Sequence, residues 1–334
     1  MAIKRAIEEV DITQAFFPVE ERPVGIEPFF GNFKSIPGYK AIVDSDLGTA
    51  ISIVSKDYQL ITNRDAYEIA VRLIPKLFEG KTINDFIPYN VRIANSKGSC
   101  IIDLIIPTGW KNLFGDKKES YTPFIRIWNS YNRTYRLKFE IGFCRWICLN
   151  GSIFGEIDFK FSATHTKRHL GFCFDDIVEQ GAKRLINVKK AWHQFELKLS
   201  KEKEIAMPQS LILAMFCRAF NIIVDPHKIT SQQKQTLAKQ AEKLIANGKE
   251  YFEELGNNGY AMFNVLTDFA SYPPAYSFNM NNYQHMAGKW LSDIVDAYEK
   301  ADFKLSEFIG KYLDTSAYLE SLISCKGKDS TTKL

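Results

Sequence analysis

The sequence predicts an α+β protein, an antiparallel-sheet-rich N-terminal half followed by a helical C-terminal half packed on it. Three observations predict it. Short β-branched or alternating runs dominate up to about residue 165, and apolar residues at helical spacing dominate after 174. No Gly/Ser or Pro-rich linker separates the halves at 165–175, so they are expected to share one core. No internal repeat is present, which argues against a solenoid or propeller.

Residues 1–39 read as an irregular N-terminal segment, because Pro18, Pro23, Pro28 and Pro37 interrupt it. A β-rich region is expected over 40–170. Ala50 to Val54 alternates as a strand. Thr62 or Asn63 can cap a helix carrying Ala66, Ile69, Ala70 and Leu73 on one face, with Pro75 kinking or ending it. Residues 90–106 read as a hairpin turned at Asn95-Ser96-Lys97-Gly98. Residues 107–120 read as a loop. A second strand pair is expected at 124–128 and 134–141, and another strand at 156–162.

A helical region follows over 171–324. One long helix is expected over 175–200, with Val178, Ala182, Leu185, Val188, Trp192, Phe195 and Leu199 facing the core. Pro208 opens a second helix, and Thr230 caps a third that Gly248 closes. Further helical patterns lie near 258–270, 283–300 and 304–323. Residues 325–334 read as a polar, disordered tail.

Composition narrows the function classes. Aromatic residues make up 13% of the chain, with 25 Phe and 15 Tyr, enough for a sizeable core. The longest apolar run is Leu211 to Cys217, ended by Arg218, which is too short to span a bilayer. The N-terminus lacks the apolar stretch of a secretory leader. A soluble, cytoplasmic protein without a membrane partner is therefore expected. Net charge is +4 but uneven. Residues 121–170 hold eight Lys/Arg against three Asp/Glu, whereas 251–305 hold three against seven. Such a basic middle creates a local positive field, although solvated surface charge gives the same pattern.

Nucleotide-binding glycine loops, zinc-protease helices and serine-nucleophile elbows are all missing from the sequence. Cys144, Cys148, His165, His169 and Cys173 come nearest to a metal pattern, but the cysteines sit in apolar surroundings and read as reduced core thiols. No metal and no cofactor are expected. Asp103, inside the apolar run CIIDLII, must be paired or protonated if buried.

The most unusual stretch is 123–169, where cations interleave with rings. Arg126, Trp128, Tyr131, Arg133, Arg136 and Lys138, with Lys167 and Arg168, are the candidate nucleic-acid contacts. Cations track phosphates and rings stack on bases in single-strand binding proteins. On an extended strand, Thr134, Arg136 and Lys138 share one face. Arg145, set between Cys144 and Trp146, needs an anion, either an internal carboxylate or a ligand phosphate. His165 is its expected neighbour. Asn129 and Ser130 read as a tight turn, and so does Asn150-Gly151. Asn264, Thr267 and Asp268 share one helical face, where Asn264 and Asp268 can bond each other.

Several ordered pieces carry a family resemblance: VSKDYQLITNRDAYE (54–68), PFIRIWNSYNRT (123–134), GFCRWICLNG (142–151), His165-Thr166, AMFNVLTDFASY (261–272) and HMAGKWL (285–291). Together they resemble the phage/plasmid-like protein family, an uncharacterised domain of mobile elements. Tyr131-Asn132 departs from the His-Asp that many relatives carry after Asn-Ser. The resemblance covers roughly 40–295 and implies a mobile-element protein without fixing an activity.

Two functions follow as expectations. The first is a nucleic-acid-binding protein of a phage or plasmid, binding or annealing single-stranded DNA in recombination. The β-then-α order is broadly similar to that of phage annealing proteins, which is fold analogy. The second is a non-enzymatic protein that modulates a host defence or restriction system. An enzyme using Arg145, His165 and Asp103 on a phosphate substrate is a third reading, but no spacing demands it. A second copy of the chain and a host protein stay open as partners.

Overall fold

The computed structural model describes residues 11–27, 31–107, 110–115, 119–145, 150–153, 160–163, 165, 174–184, 188–272 and 280–329. The chain is α+β, with antiparallel sheets in the N-terminal half and helices mostly in the C-terminal half.

Pairing starts earlier than the proline pattern predicts. Strands β1 (Val19–Ile26), β2 (Lys34–Asp44) and β3 (Thr49–Ser55) form a three-stranded antiparallel sheet. Pro23 is tolerated because β1 is an edge strand and its register shifts between Pro23 and Gly25. Helix α1 (Asn63–Leu77) follows. Thr62 caps it in a reciprocal box with Asp65, and it ends two residues beyond Pro75.

The main sheet contains β4 (Ile87–Ile93), β5 (Ser99–Ile105), β7 (Ser120–Ser130), β8 (Leu137–Arg145) and β10 (Lys160–Ala163), in the order β10-β8-β7-β5-β4. Short β6 (Lys111–Asn112) joins β7, and β9 (Asn150–Ser152) joins β8. Thus the expected loop at 107–120 holds a strand. Asn150-Gly151 opens β9 rather than forming a turn, with Arg145 paired to Asn150. Gly142 is required by packing, because an added Cβ would lie 2.3 Å from Cζ of Phe124, its cross-strand partner.

One face of the main sheet carries Ile102, Leu104, Ile125, Ile127, Phe139 and Ile141 into the principal core. Against it pack α1, α2 (Phe174–Arg184) and α3 (Val188–Glu204). Within 175–200 the described residues are helical up to Arg184 and again from Val188, and residues 185–187, with Leu185 of the expected core face, lie outside the described residues. Ion pairs Arg72–Asp175 and Lys76–Glu179 tie α1 to α2. Trp192 and Phe195 of α3 meet Tyr121 and Phe143 of the sheet with ring centroids 5.1–5.9 Å apart.

The helical half continues with α4 (Ile212–Ala219), α5 (Ser231–Leu255), α6 (Gly259–Ser271), α7 (Met280–Tyr298), α8 (Leu305–Ile309) and α9 (Leu313–Asp329). Pro208 caps a short 3-10 turn that leads into α4. Gly248 does not close α5, which runs on to Gly256 at φ 89. Gly248 instead gives Ile212 room, since an added Cβ would sit 2.7 Å from its Cδ1. Helix α9 also extends through the first five residues of the expected polar tail. No helix among the described residues is long and apolar enough to cross a membrane.

Candidate nucleic-acid interface

Alternation along β7 divides the interleaved cations and rings. Ile125 and Ile127 face the helices, whereas Phe124, Arg126 and Trp128 face the other side. On that second side lies a row of polar groups in strict register: Asn90 opposite Asp103, Asp103 opposite Arg126, and Arg126 opposite Glu140. Lys160 is the register partner of Glu140 on β10. Arg126 donates from Nε to Asp103 Oδ1 at 2.6 Å and from Nη2 to Oδ2 at 2.7 Å. Asn90 adds a bond to Oδ2 at 2.6 Å.

Glu140 is the second hub. Trp128 Nε1 donates to its Oε2 at 2.6 Å, and Lys138 and His285 approach its Oε1 at 3.0 and 3.1 Å. Burial alone would raise this carboxyl, but His285 and Lys138 override it and hold it down to about 2. Burial opposes the charge on Arg126 too, and Asp103 overrides it in the same way.

Arg126 and Trp128 are therefore buried and committed to carboxylates. Asp103 holds Nε and Nη2 of Arg126, and the whole side chain is buried, so a phosphate in solvent does not reach it. Tyr131 is buried as well. Its hydroxyl accepts from Asn63 N at 2.9 Å, and its carbonyl accepts from Ser52 Oγ at 2.5 Å. Asn129 Nδ2 donates to Ile61 O and Asn63 Oδ1 at 3.0 and 2.9 Å. Asn129, Ser130 and Tyr131 thus lock the small sheet and α1 onto the end of the main sheet. These three expected contacts or turn residues are structural, because the strand continues through Ser130 and the chain covers them.

The exposed chemistry sits just beyond. Ser130 Oγ accepts from Tyr135 N at 3.0 Å and donates to Tyr135 O at 2.7 Å, closing the β7–β8 turn. Asn132 Oδ1 accepts from Thr134 N at 3.1 Å, and Arg133 takes the left-handed conformation at φ 63. Arg133 and Arg136 are exposed and lack a carboxylate partner among the described residues. Tyr135 is half-buried between them in sequence, its ring 4.8 Å from that of Trp128. Lys138 Nζ lies 4.1 Å over the Trp128 ring. Since β8 starts at Leu137, Thr134 and Arg136 belong to the turn rather than to a strand face shared with Lys138.

Arg145 and His165 stand at opposite ends of β8, not side by side. Arg145, buried, clasps Glu119 through Nε at 2.9 Å and Nη2 at 2.7 Å, and reaches Glu254 at 3.2 Å. Tyr260 donates to the same Glu119, and Tyr121 lies 3.0 Å from the Tyr260 hydroxyl. His165 lies near the pairing of Ala163 with Leu137, stacked on Tyr58 with centroids 5.2 Å apart. Burial pulls its imidazole down to about 4, so it is neutral at physiological pH. Lys167, Arg168, Cys148, His169 and Cys173 lie outside the described residues. Cys100, Cys144 and Cys217 are buried and not in disulfides, and burial pushes Cys100 and Cys217 up to about 12. Among the described residues no group of His, Cys, Asp or Glu could hold a metal ion.

The sequence reading missed Glu140 and His285 as partners of this face. The alternation of KFEIGF, with a lone Glu between apolar residues, is the signal for Glu140. His285 is 145 residues away and leaves no local trace. No family model, no curated protein and no solved structure matches the chain.

Proposed function

We propose that the chain is a nucleic-acid-binding protein of a phage or plasmid that binds single-stranded DNA, in annealing or recombination, through the turn between β7 and β8. One observation carries this reading: Arg133 and Arg136 are exposed, free of carboxylates among the described residues, and flank Tyr135 on a hydrogen-bonded turn. Two unpaired guanidinium groups suit successive phosphates, and a half-exposed ring between them suits a base. Lys138 is a weaker third cation because it shares Glu140.

The test is a salt series of binding to a labelled oligothymidylate by fluorescence anisotropy. The wild type should lose affinity steeply as salt rises. The double variant Arg133→Ala, Arg136→Ala should lower the log–log slope by about 1.4, at roughly 0.7 per phosphate contact. No binding at low salt, or the same slope in the variant, removes the reading.

A second reading rests on its own observation. Tyr39 and Ile53, 56% and 62% exposed, sit on one outer face of the small sheet, and Ile26, Phe33 and Leu47 are exposed nearby in sequence. An apolar patch of this kind suits a protein partner such as a host defence component. Tyr39→Lys with Ile53→Lys should then abolish protection in a host-restriction assay and leave oligonucleotide affinity unchanged.

A further inference from the structure

A cavity of about 250 Å³ lies wholly within the helical half, lined by Arg218 and Ala219 of α4, Asn221, Met286, Lys289, Trp290 and Asp293 of α7, and Tyr312. Its polar lining is unbalanced toward donors. Among the described residues, Arg218 Nε is buried without an acceptor, and the indole N–H of Trp290, a residue 2% exposed, is also unpartnered. The Arg218 guanidinium rests 3.9 Å over the Phe308 ring, with no carboxylate bonded to it among the described residues. The Asn221 carbonyl is occupied by the Tyr312 hydroxyl at 2.8 Å, which leaves its amide N–H groups as donors. Asp293, the one carboxylate among the described lining residues, is held by Lys289 at 2.5 and 2.7 Å.

Leaving a guanidinium N–H and an indole N–H desolvated and unpaired is unfavourable unless something accepts from them. The apolar run before Arg218 gives no local reason for a cation there. Arg218 and Lys289 against Asp293 leave the lining one positive charge in excess. Ala219, Met286 and the Trp290 and Tyr312 rings supply an apolar wall. The volume lies just below the usual range for small-molecule sites, roughly 300–1,000 Å³.

We propose that this cavity binds a small organic oxyanion with an apolar or aromatic body, its charged group taken by Arg218 and the Trp290 indole N–H. The site is independent of the β7–β8 turn and of any nucleic acid. Phosphate monoester and carboxylate share the required chemistry, and the probes separate them.

The experiment is calorimetric titration of the full chain with phenyl phosphate, with benzoate and with the neutral benzyl alcohol, beside thermal melts. At least one anion should bind at millimolar concentration or below, and the alcohol should not. Arg218→Gln should weaken that anion at least about tenfold, as expected for losing a charge-assisted hydrogen bond. Trp290→Phe keeps the ring and removes only the N–H, so it should weaken binding severalfold. It serves as the decisive variant if Arg218→Gln melts early. Neither anion binding, equal binding of the alcohol, or affinity unchanged in the folded variants would overturn the proposal.

Discussion

Arg126 on β7 and Asp103 on β5 stand directly opposite one another in register and close two parallel hydrogen bonds, with neither side chain exposed. The pair fixes the strand pairing chemically. A slip of one residue would turn Arg126 into the apolar face occupied by Ile125 and Ile127. Asn90 and Glu140 extend the polar row on both sides, so register is specified across four strands by groups that would be costly to misplace.

Removing one partner of this pair is therefore expected to be severe. Asp103→Leu or Arg126→Met alone should cost about 3–5 kcal/mol, because the remaining charge stays buried and uncompensated. The double change Asp103→Leu, Arg126→Met should cost far less than the sum, since both desolvation penalties disappear together. Urea denaturation of the four proteins measures the coupling. Additive effects would show that the two groups do not depend on each other.

His165 should make the fold acid-sensitive. Its imidazole is stacked on Tyr58, with Nδ1 3.3 Å from the Gln59 carbonyl and Nε2 buried without a partner among the described residues. The folded protein keeps it neutral down to about 4, against 6.5 when unfolded. The folded value is depressed, so this stability is complete above the unfolded value and drains as pH falls toward 4. At pH 5 the loss should be about 2 kcal/mol. His165→Phe keeps the stacking and should remove this part of the decline. Unfolding midpoints at pH 7 and pH 5, compared between wild type and variant, give the answer.

Glu202 works in the opposite direction. It is fully buried on α3, and neither carboxyl oxygen has a hydrogen-bond partner among the described residues. Burial pushes its carboxyl well above the usual range, with Lys198 offsetting only part. The folded value is raised, so stability is greatest below the ordinary carboxylate range and declines as pH rises. Glu202→Met should stabilise the protein at neutral pH by about 1–3 kcal/mol, the cost of an unsatisfied buried polar group, and Glu202→Gln should gain less because its amide stays unsatisfied. The variants should also flatten the alkaline side of a plot of melting temperature against pH. A destabilised Glu202→Met would mean that the carboxyl has a use in the fold.

The α+β order, the Thr62 and Thr230 caps and the helical faces of α1 and α6 were legible because each is local: a cap, a period or a turn residue. The site was read less well for a physical reason. Alternation places Arg126 and Trp128 on one sheet face, but it does not say whether that face meets water or more protein. The partners that decide it come from Asp103 across β5 and from His285 in a distant helix. The same gap affects Asp268, which bonds Asn247 on α5 at 2.7 Å rather than only its helical neighbours. Pro23 misled in the other direction, since a proline that breaks a central strand is harmless on an edge.

Arg145 separates a structural role from a binding role. Its guanidinium holds both oxygens of Glu119, and Glu119 also receives the Tyr260 hydroxyl and so links β7 to α6. Arg145→Ala leaves Glu119 buried against tyrosines without its counter-charge, and should cost about 3–5 kcal/mol. Arg145→Lys should fall between the two, because an ammonium cannot bridge both oxygens as the planar fork does. Oligonucleotide affinity of the folded fraction should be unchanged, since Arg145 lies at the far end of β8 from Arg133 and Arg136. Thermal melts run beside binding titrations test both statements. A variant that keeps its melting temperature and loses binding would make Arg145 a ligand anchor and would move the proposed interface to the opposite end of the sheet.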